Sequence, residues 1–529
     1  MYKKLLCCLL TVVMVFVSGG VNIVLPVEAD SISAEKNVPT EVSATKRDFT
    51  DSEVLVAMTH EESLKFTAYT AADFAEIGCA SVQDLSSATA EKVQKVLRGE
   101  KLAEDSIGAA FMNKNINVDT FRTILSLKLA EPGKDNVLRA VALLNQRADV
   151  YIAEPNYIIQ MDRAIVPEEL PAPDNNPLYG WAAEKIHQED AWEIETGSTS
   201  VLVGVLDTGI DASHPELSGR VSSDDSRNFA DDNLSPLTDP IGHGTHVAGI
   251  IAAKHNADSL NFSGVCQNVK LVSLRVVNAS DSCASGVLIN AIDYARTKNI
   301  PILNISIDDG LGFPPIFFIA TNNYPGLIIS AAGNGGMDLD DYIDSQPDDW
   351  ESARIIFVGA STTSDRKKSD SNYGDETVDL FAPGATILSC YSLDTNDGVC
   401  EATNCPYLGH IAYGYHNEGG TSMAAPFVTG VAALILAHKP GITKEQIKTV
   451  ICDSVDYVSA LAPYCREGGR LNALKALSHP LLHSSPSYIW EDTTYHTVQW
   501  GDCNKSILEE HSGTVGAHRC TVCGGAMDY

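Results

Sequence analysis

Three short segments of this 529-residue chain carry side chains that could act together on a carbonyl group. Gly419-Gly420-Thr421-Ser422-Met423-Ala424-Ala425-Pro426 opens the apolar run Phe427 to Leu436. Paired glycines, a serine and then small residues predict a helix with the Ser422 hydroxyl at its N-terminus. There, amide groups and the helix dipole favour developing negative charge. Val201 to Leu206 is an apolar run of strand length that ends in Asp207-Thr208-Gly209. A carboxylate at the carboxyl end of a buried parallel strand lies where open α/β sheets place their sites. Gly242 to Gly249 sets His243 at a glycine turn leading into a small-residue helix. A serine, a histidine to take and return its proton, and a carboxylate to orient the imidazole are the parts of nucleophilic acyl transfer.

Each segment also has a plainer reading. Gly-Thr-Ser can simply cap a buried helix. Asp-Thr-Gly marks aspartic proteases as well, but those need two carboxylates sharing a proton, and no second Asp-Thr-Gly or Asp-Ser-Gly occurs. His243 and His246 are three apart and lack the adjacent Glu of a zinc-binding helix, so His246 reads as a structural or capping residue. Asn334, set among glycines, could be a turn residue.

Four patterns in order change the balance: Val-Leu-Asp-Thr-Gly-Ile-Asp (205–211), His-Gly-Thr-His-Val-Ala-Gly (243–249), Ala-Ala-Gly-Asn-Gly (331–335) and Gly-Thr-Ser-Met-Ala-Ala-Pro (420–426). Through them residues 176–478 resemble the subtilases, the subtilisin-like serine proteases. The resemblance implies that Asp207, His243 and Ser422 form the triad and that Asn334 is the side-chain donor to the oxyanion. It implies a substrate cleft lined by Ser306, Ile307, Asp308 and Gly333. The implied fold is α/β, a mainly parallel sheet with helices on both faces, preceded by a small α+β propeptide domain. The implied function is a secreted serine endopeptidase, made as an autoprocessed zymogen, that hydrolyses proteins or peptides. A catalytically silent subtilase fold acting as an extracellular binding protein is the competing class, and the complete triad argues against it.

The chain departs from the family pattern in two places. Asp308 stands where many members have glycine. A carboxylate there either selects Arg or Lys before the scissile bond or points to solvent, and surface charge pairs are usually weak enough to favour the second reading. Glu216 stands where many members have a calcium-binding aspartate, and Asn256, Asp258 and Asn261 offer further oxygen ligands nearby.

Composition and segmentation bound the rest. Thirty-seven basic against 69 acidic residues give a formal charge of −32, which argues against a nucleic-acid partner. Lys3-Lys4, the apolar stretch Leu5 to Val17 and the small residues near Ala29 read as a secretory signal over 1–29, too short for a comfortable membrane span. Residues 30–50 read as a disordered leader. Residues 51–161 read as an α+β unit, with strands expected at 54–58, 121–129 and 150–157 and a helix at 136–146. By resemblance this is a propeptide, which would serve as folding template and intramolecular inhibitor. Residues 162–177, rich in Pro and acidic side chains, read as a cleavable linker.

From 178 to 480, expected strands at 201–206, 270–277, 301–307, 326–332 and 354–360 alternate with expected helices at 244–254, 286–298, 422–437 and 443–452. That alternation predicts a parallel sheet covered on both faces. Trp181 to Trp192 reads as a helical entry. Eleven cysteines outside the signal suggest one or two disulfides and several free thiols, whose pairing the sequence leaves open. The tail, 481–529, carries Cys503, His511, Cys520 and Cys523. Its Cys-x-x-Cys resembles a zinc knuckle but lacks a matching pair, so a disulfide-linked or degenerate tail is the alternative.

Overall fold

The computed structural model describes residues 47–161, 180–230, 233–254, 262–307, 313–343, 355–392, 410–412, 414–483, 486–490, 495–500 and 506–510. Runs of β-branched and aliphatic residues form the strands Leu202–Asp207, Lys270–Arg275, Ile302–Ile305, Leu327–Ala331, Ile355–Ser361 and Leu380–Pro383. They pair in parallel as the centre of a nine-stranded sheet, with an antiparallel pair, Asp456–Tyr457 and Gly469–Arg470, at one end. Both faces of these strands are apolar, as burial on both sides requires. Val203, Val205, Leu271, Ile329, Ile356 and Val358 face the helices His243–Ala252, Thr421–His438 and Lys444–Asp453. Leu206, Leu274, Leu303, Ile305, Ile328 and Phe357 face the helices Ser285–Thr297 and Pro315–Asn323. The α/β fold expected from the sequence is therefore the one observed.

Parallel strands place all their carboxyl ends on one side. Asp207 ends its strand, Ser306 follows Ile302–Ile305, and Gly333 and Asn334 follow Leu327–Ala331, so these groups gather at one edge. The helix Thr421–His438 matches a membrane span in length and has a mean hydropathy of 1.5, yet 83% of that stretch is buried. It is the central core helix.

The chain from 47 to 161 builds an antiparallel sheet of Cys79–Asp84, Ile124–Leu129, Phe49–Met58 and Val150–Gln160, backed by the helix Lys134–Leu144. Its third strand begins at Ile124 rather than Phe121. The break in alternation at Thr123 and Ile124 marks where the strand starts. Two helices unread in the sequence, Ser87–Leu97 and Ile107–Lys114, lie between the strands. The outer strand continues into Ser282–Ala284 of the larger unit, pairing Ile158 with Ala284 and Gln160 with Ser282.

Three helices at this junction lack a side-chain cap from their own N-cap residue and receive one from across it. Asn156 Oδ1 accepts Gly286 N–H at 2.9 Å, at the start of Ser285–Thr297. Glu154 Oε1 accepts Ile316 N–H at 3.3 Å, at the start of Pro315–Asn323. In return, Asp293 accepts Ala88 N–H at 2.9 Å and Thr89 N–H at 3.0 Å, capping Ser87–Leu97. Each cap satisfies amide groups that the helix cannot satisfy internally.

The Trp181–Trp192 region is two short helices, Trp181–Lys185 and Gln188–Trp192, separated by His187 in a left-handed conformation (φ 55°). Cys79, Cys266, Cys283, Cys390, Cys452 and Cys465 are free thiols, so the expected bridges do not involve the described cysteines. The strands Pro486–Trp490, Tyr495–Trp500 and Ser506–Glu510 pair with one another as a separate three-stranded sheet. Residues 1–46, the linker and the four proposed zinc ligands lie outside the described residues.

Packing against the larger unit runs past 480: Leu482 and His483 are buried, and the His483 imidazole reaches Leu477 O at 2.6 Å. Truncation after His483 is therefore expected to leave the melting temperature unchanged. Truncation after Ser478 removes Leu482 as well and should cost about 1.5–3 kcal/mol. Parallel denaturant titrations check this, and equal stability of the two truncations would contradict it.

Candidate active site

The Asp207 carboxylate is fully buried, and its Oδ1 accepts the Thr208 N–H at 2.7 Å while lying 2.8 Å from His243 Nδ1. The contact fixes the tautomer, because a carboxylate can only accept: Nδ1 carries the proton and Nε2 is left as the base. His243 opens the helix His243–Ala252 after Gly242, which has φ 96° and no room for a side chain against the Tyr391 ring. Burial alone would pull the His243 pKa down; the Asp207 charge and hydrogen bond outweigh it, with help from Glu418 and Asp239, and the net shift is upward. The imidazolium is thus stabilised where a proton would arrive.

Ser422 occupies the second position of Thr421–His438, in the first turn, where backbone N–H groups have no helical acceptor. Pro426 sits four residues later and has no N–H, so the Ser422 carbonyl lacks its ordinary helical donor. The Ser306 hydroxyl takes that place, donating to Ser422 O at 2.9 Å. Ser306 accepts from Asn304 Nδ2 at 2.8 Å, and the Thr429 hydroxyl lies 2.8 Å from Asn304 Oδ1. A buried chain of polar groups thus ties the Ser422 backbone to a neighbouring strand.

Asn334 is held through its oxygen. Thr421 N–H and Thr421 Oγ1 donate to Oδ1 at 3.0 and 3.2 Å, and Thr421 Oγ1 accepts Gly333 N–H at 3.0 Å. With Oδ1 fixed by a backbone N–H, the amide orientation is unambiguous and Nδ2 remains as a donor. Ser422 is 8% exposed and Asn334 9%, so each touches solvent at the rim of an otherwise buried set.

Two residues of the assembly were missed in the sequence. Asp239, fully buried, accepts five hydrogen bonds: from the Thr208 hydroxyl, the Ile241, Gly242 and Thr245 N–H groups, and the Thr245 hydroxyl. Burial pushes its pKa up, and these donors oppose that. It joins the loop after Asp207 to the turn carrying His243. An acidic residue four positions before His243 is the signal that could have identified it. The other is Thr421, read only as part of a motif, which sets the orientation of Asn334.

His246 plays the structural part expected of it. Its Nε2 lies 3.0 Å from both Ile387 O and His416 O and so carries a proton. Its Nδ1 has no partner among the described residues.

Of the expected cleft residues, Ser306, Ile307 and Gly333 are buried at the same sheet edge, whereas Asp308 lies outside the described residues. Glu216 is buried and accepts the Tyr415 hydroxyl at 3.1 Å, but Asn256, Asp258 and Asn261 lie outside the described residues. No group of three His, Cys, Asp or Glu side chains comes together for a metal among the described residues.

Burial pulls His246 from its ordinary 6.5 down to about 4, against the attraction of Glu418. Above pH 6.5 the ring is neutral folded and unfolded, and its buried contacts contribute fully. Between about 6.5 and 4 the unfolded chain binds a proton that the folded chain refuses, so stability falls with falling pH. A His246→Gln variant should show a shallower fall across that window in denaturant titrations, and an identical slope would contradict the assignment.

A sequence model of the subtilase family matches residues 198–476, more than half of the chain. The thermophilic serine proteinase of Bacillus sp. (strain AK1) is 29% identical over 402 residues, covering 75% of this chain and 86% of that protein. Thermitase of Thermoactinomyces vulgaris is 30% identical over 310 residues, covering 58% of this chain and 99% of thermitase. Subtilisin E of Bacillus subtilis (strain 168) is 33% identical over 265 residues, covering 50% and 62%. With that match and the aspartate, histidine and serine at one sheet edge, the chain belongs to the subtilase family and is a serine-type endopeptidase.

Proposed function

We propose that Asp207, His243 and Ser422 are the catalytic triad of a secreted endopeptidase made as a self-processing zymogen. The observation that carries this is the 2.8 Å contact between His243 Nδ1 and the buried Asp207, which leaves Nε2 as the base at the solvent rim. Ser422 attacks the scissile carbonyl and gives its proton to His243 Nε2. The Asp207 charge stabilises the imidazolium, which then protonates the leaving amine. Asn334 Nδ2 and the Ser422 backbone N–H receive the oxyanion. Water repeats the sequence on the acyl-enzyme, with His243 again as base.

Fluorophosphonate should label the wild-type protein and not Ser422→Ala. Absence of labelling on processed wild type would exclude the enzyme reading. Asn334→Ala should lower kcat by about 10²–10³ with a smaller change in KM.

The N-terminal unit supports the zymogen reading. Its strand Val150–Gln160 runs antiparallel to Ser282–Ala284 and pairs there as an extended peptide would. Met161 N–H continues the ladder to Asp281 O at 2.9 Å. The main-chain path leads toward the sheet edge that holds the triad, because Lys270–Arg275, which precedes Ser282, ends beside Asp207. Cleavage between Tyr157 and Asp174 should occur in purified wild type and fail in Ser422→Ala. Identical trimming of both proteins by mass spectrometry would rule out self-processing.

A further inference from the structure

The insertion between the strands Cys79–Asp84 and Ile124–Leu129 reaches the opposite end of the catalytic sheet. Lys92 Nζ donates to Asn299 Oδ1 at 2.6 Å, and Arg296 Nε donates to Ala88 O at 3.3 Å. Gly108 lies so close to the Asn299 carbonyl that a Cβ there would collide with it, with Pro301 beside it. Arg122 N–H donates to Asn323 Oδ1 at 3.1 Å, and Asn323 Nδ2 returns a bond to Arg122 O at 2.7 Å. Lys114 Nζ reaches Gly441 O at 3.3 Å. Asn299 and Pro301 precede the strand Ile302–Ile305, and Asn323 precedes Leu327–Ala331. The insertion therefore covers the amino ends of the strands, while the triad sits at their carboxyl ends.

Its helix Ile107–Lys114 enters the catalytic core. Phe111 is fully buried and belongs to the apolar cluster on one face of the large sheet. Met112, also fully buried, belongs to the cluster on the other face. Side chains so placed fill space in the catalytic region itself, and withdrawing them leaves cavities there. The Asp293 carboxylate adds a second anchor, since its accepted bonds come from Ala88 and Thr89. Removing those donors would leave a largely buried charge without its partners.

We propose that residues 85–122 are a permanent clasp, which keeps the N-terminal unit bound as a non-covalent subunit after the linker is cut. The segment at the cleft and the segment at the base then have separate tasks. Relief of inhibition requires only that the end of Val150–Gln160 leave Ser282–Ala284, while the base stays sealed. The proposal rests on the cleavage suggested above, but its test need not.

A recognition sequence for an unrelated protease placed within 162–177 of full-length Ser422→Ala protein allows the cut to be made from outside, whether or not the wild type processes itself. After cutting, size-exclusion chromatography should show both pieces eluting together at the size of the intact chain, with the melting temperature retained. Separate elution of a folded catalytic piece with unchanged melting temperature would overturn the clasp. Asp293→Ala removes a cap and leaves Phe111 and Met112 in place. It should speed dissociation of the cut pieces about tenfold, the factor expected for one lost cap. Phe111→Ala should release the N-terminal piece outright or lower the melting temperature of the cut complex. Unchanged dissociation in both variants would also overturn the proposal. Failure of wild type to cut itself, with co-elution after the external cut, would sink self-processing and leave the clasp standing.

Discussion

One buried carboxylate holds the reactive geometry together. Asp207 ends a strand and His243 begins a helix, and their 2.8 Å contact requires that strand end and helix start stay aligned. Asp239 supplies that alignment. One of its oxygens accepts from Thr208 on the strand side and Gly242 on the helix side; the other is held by Thr245. A carboxylate shut away from solvent must be surrounded by donors, and those donors are found only when both loops are in place. The cost of burying Asp239 thus becomes a demand for one arrangement of its surroundings. The Ser422 side is held differently, by neutral hydroxyl and amide groups running through Thr429, Asn304 and Ser306.

Much of this was legible because the catalytic region follows local rules. Continuous apolar runs became strands buried on both faces, and Gly-flanked residues fell at strand ends and helix starts, where steric room is needed. The glycine before His243 faces a tyrosine ring, which a motif can hint at but not identify. Long-range partners were not legible. The place of Asp239 four residues before His243 hints at it, but its five donors are ordinary backbone and hydroxyl groups that no motif marks. The helices at 87–97 and 107–114 were missed for a related reason. Phe111 and Met112 are buried against a different part of the chain, so their pattern was not set by the small unit to which they are joined.

The two units also share helix termination. Ser285–Thr297 and Pro315–Asn323 begin without a cap of their own and receive Asn156 and Glu154. Ser87–Leu97 begins likewise and receives Asp293. Glu154 is buried, and burial pushes its pKa up to about 8, opposed by the Ile316 N–H and by Arg47. Each unit completes hydrogen bonding that the other leaves open, so the junction differs from two finished surfaces resting together.

Pro426 carries a consequence for Ser422 itself. Along an uninterrupted helix, the orientation of each peptide plane is dictated by the turn that follows. Here the proline silences that instruction at one residue, and a hydroxyl just past the end of a strand issues it instead. Ser422 is therefore steered by the sheet, although it is built on a helix. Ser306 leads directly into Ile307 and the segment expected to meet the substrate, so a disturbance of that segment has a two-atom route to the backbone of Ser422.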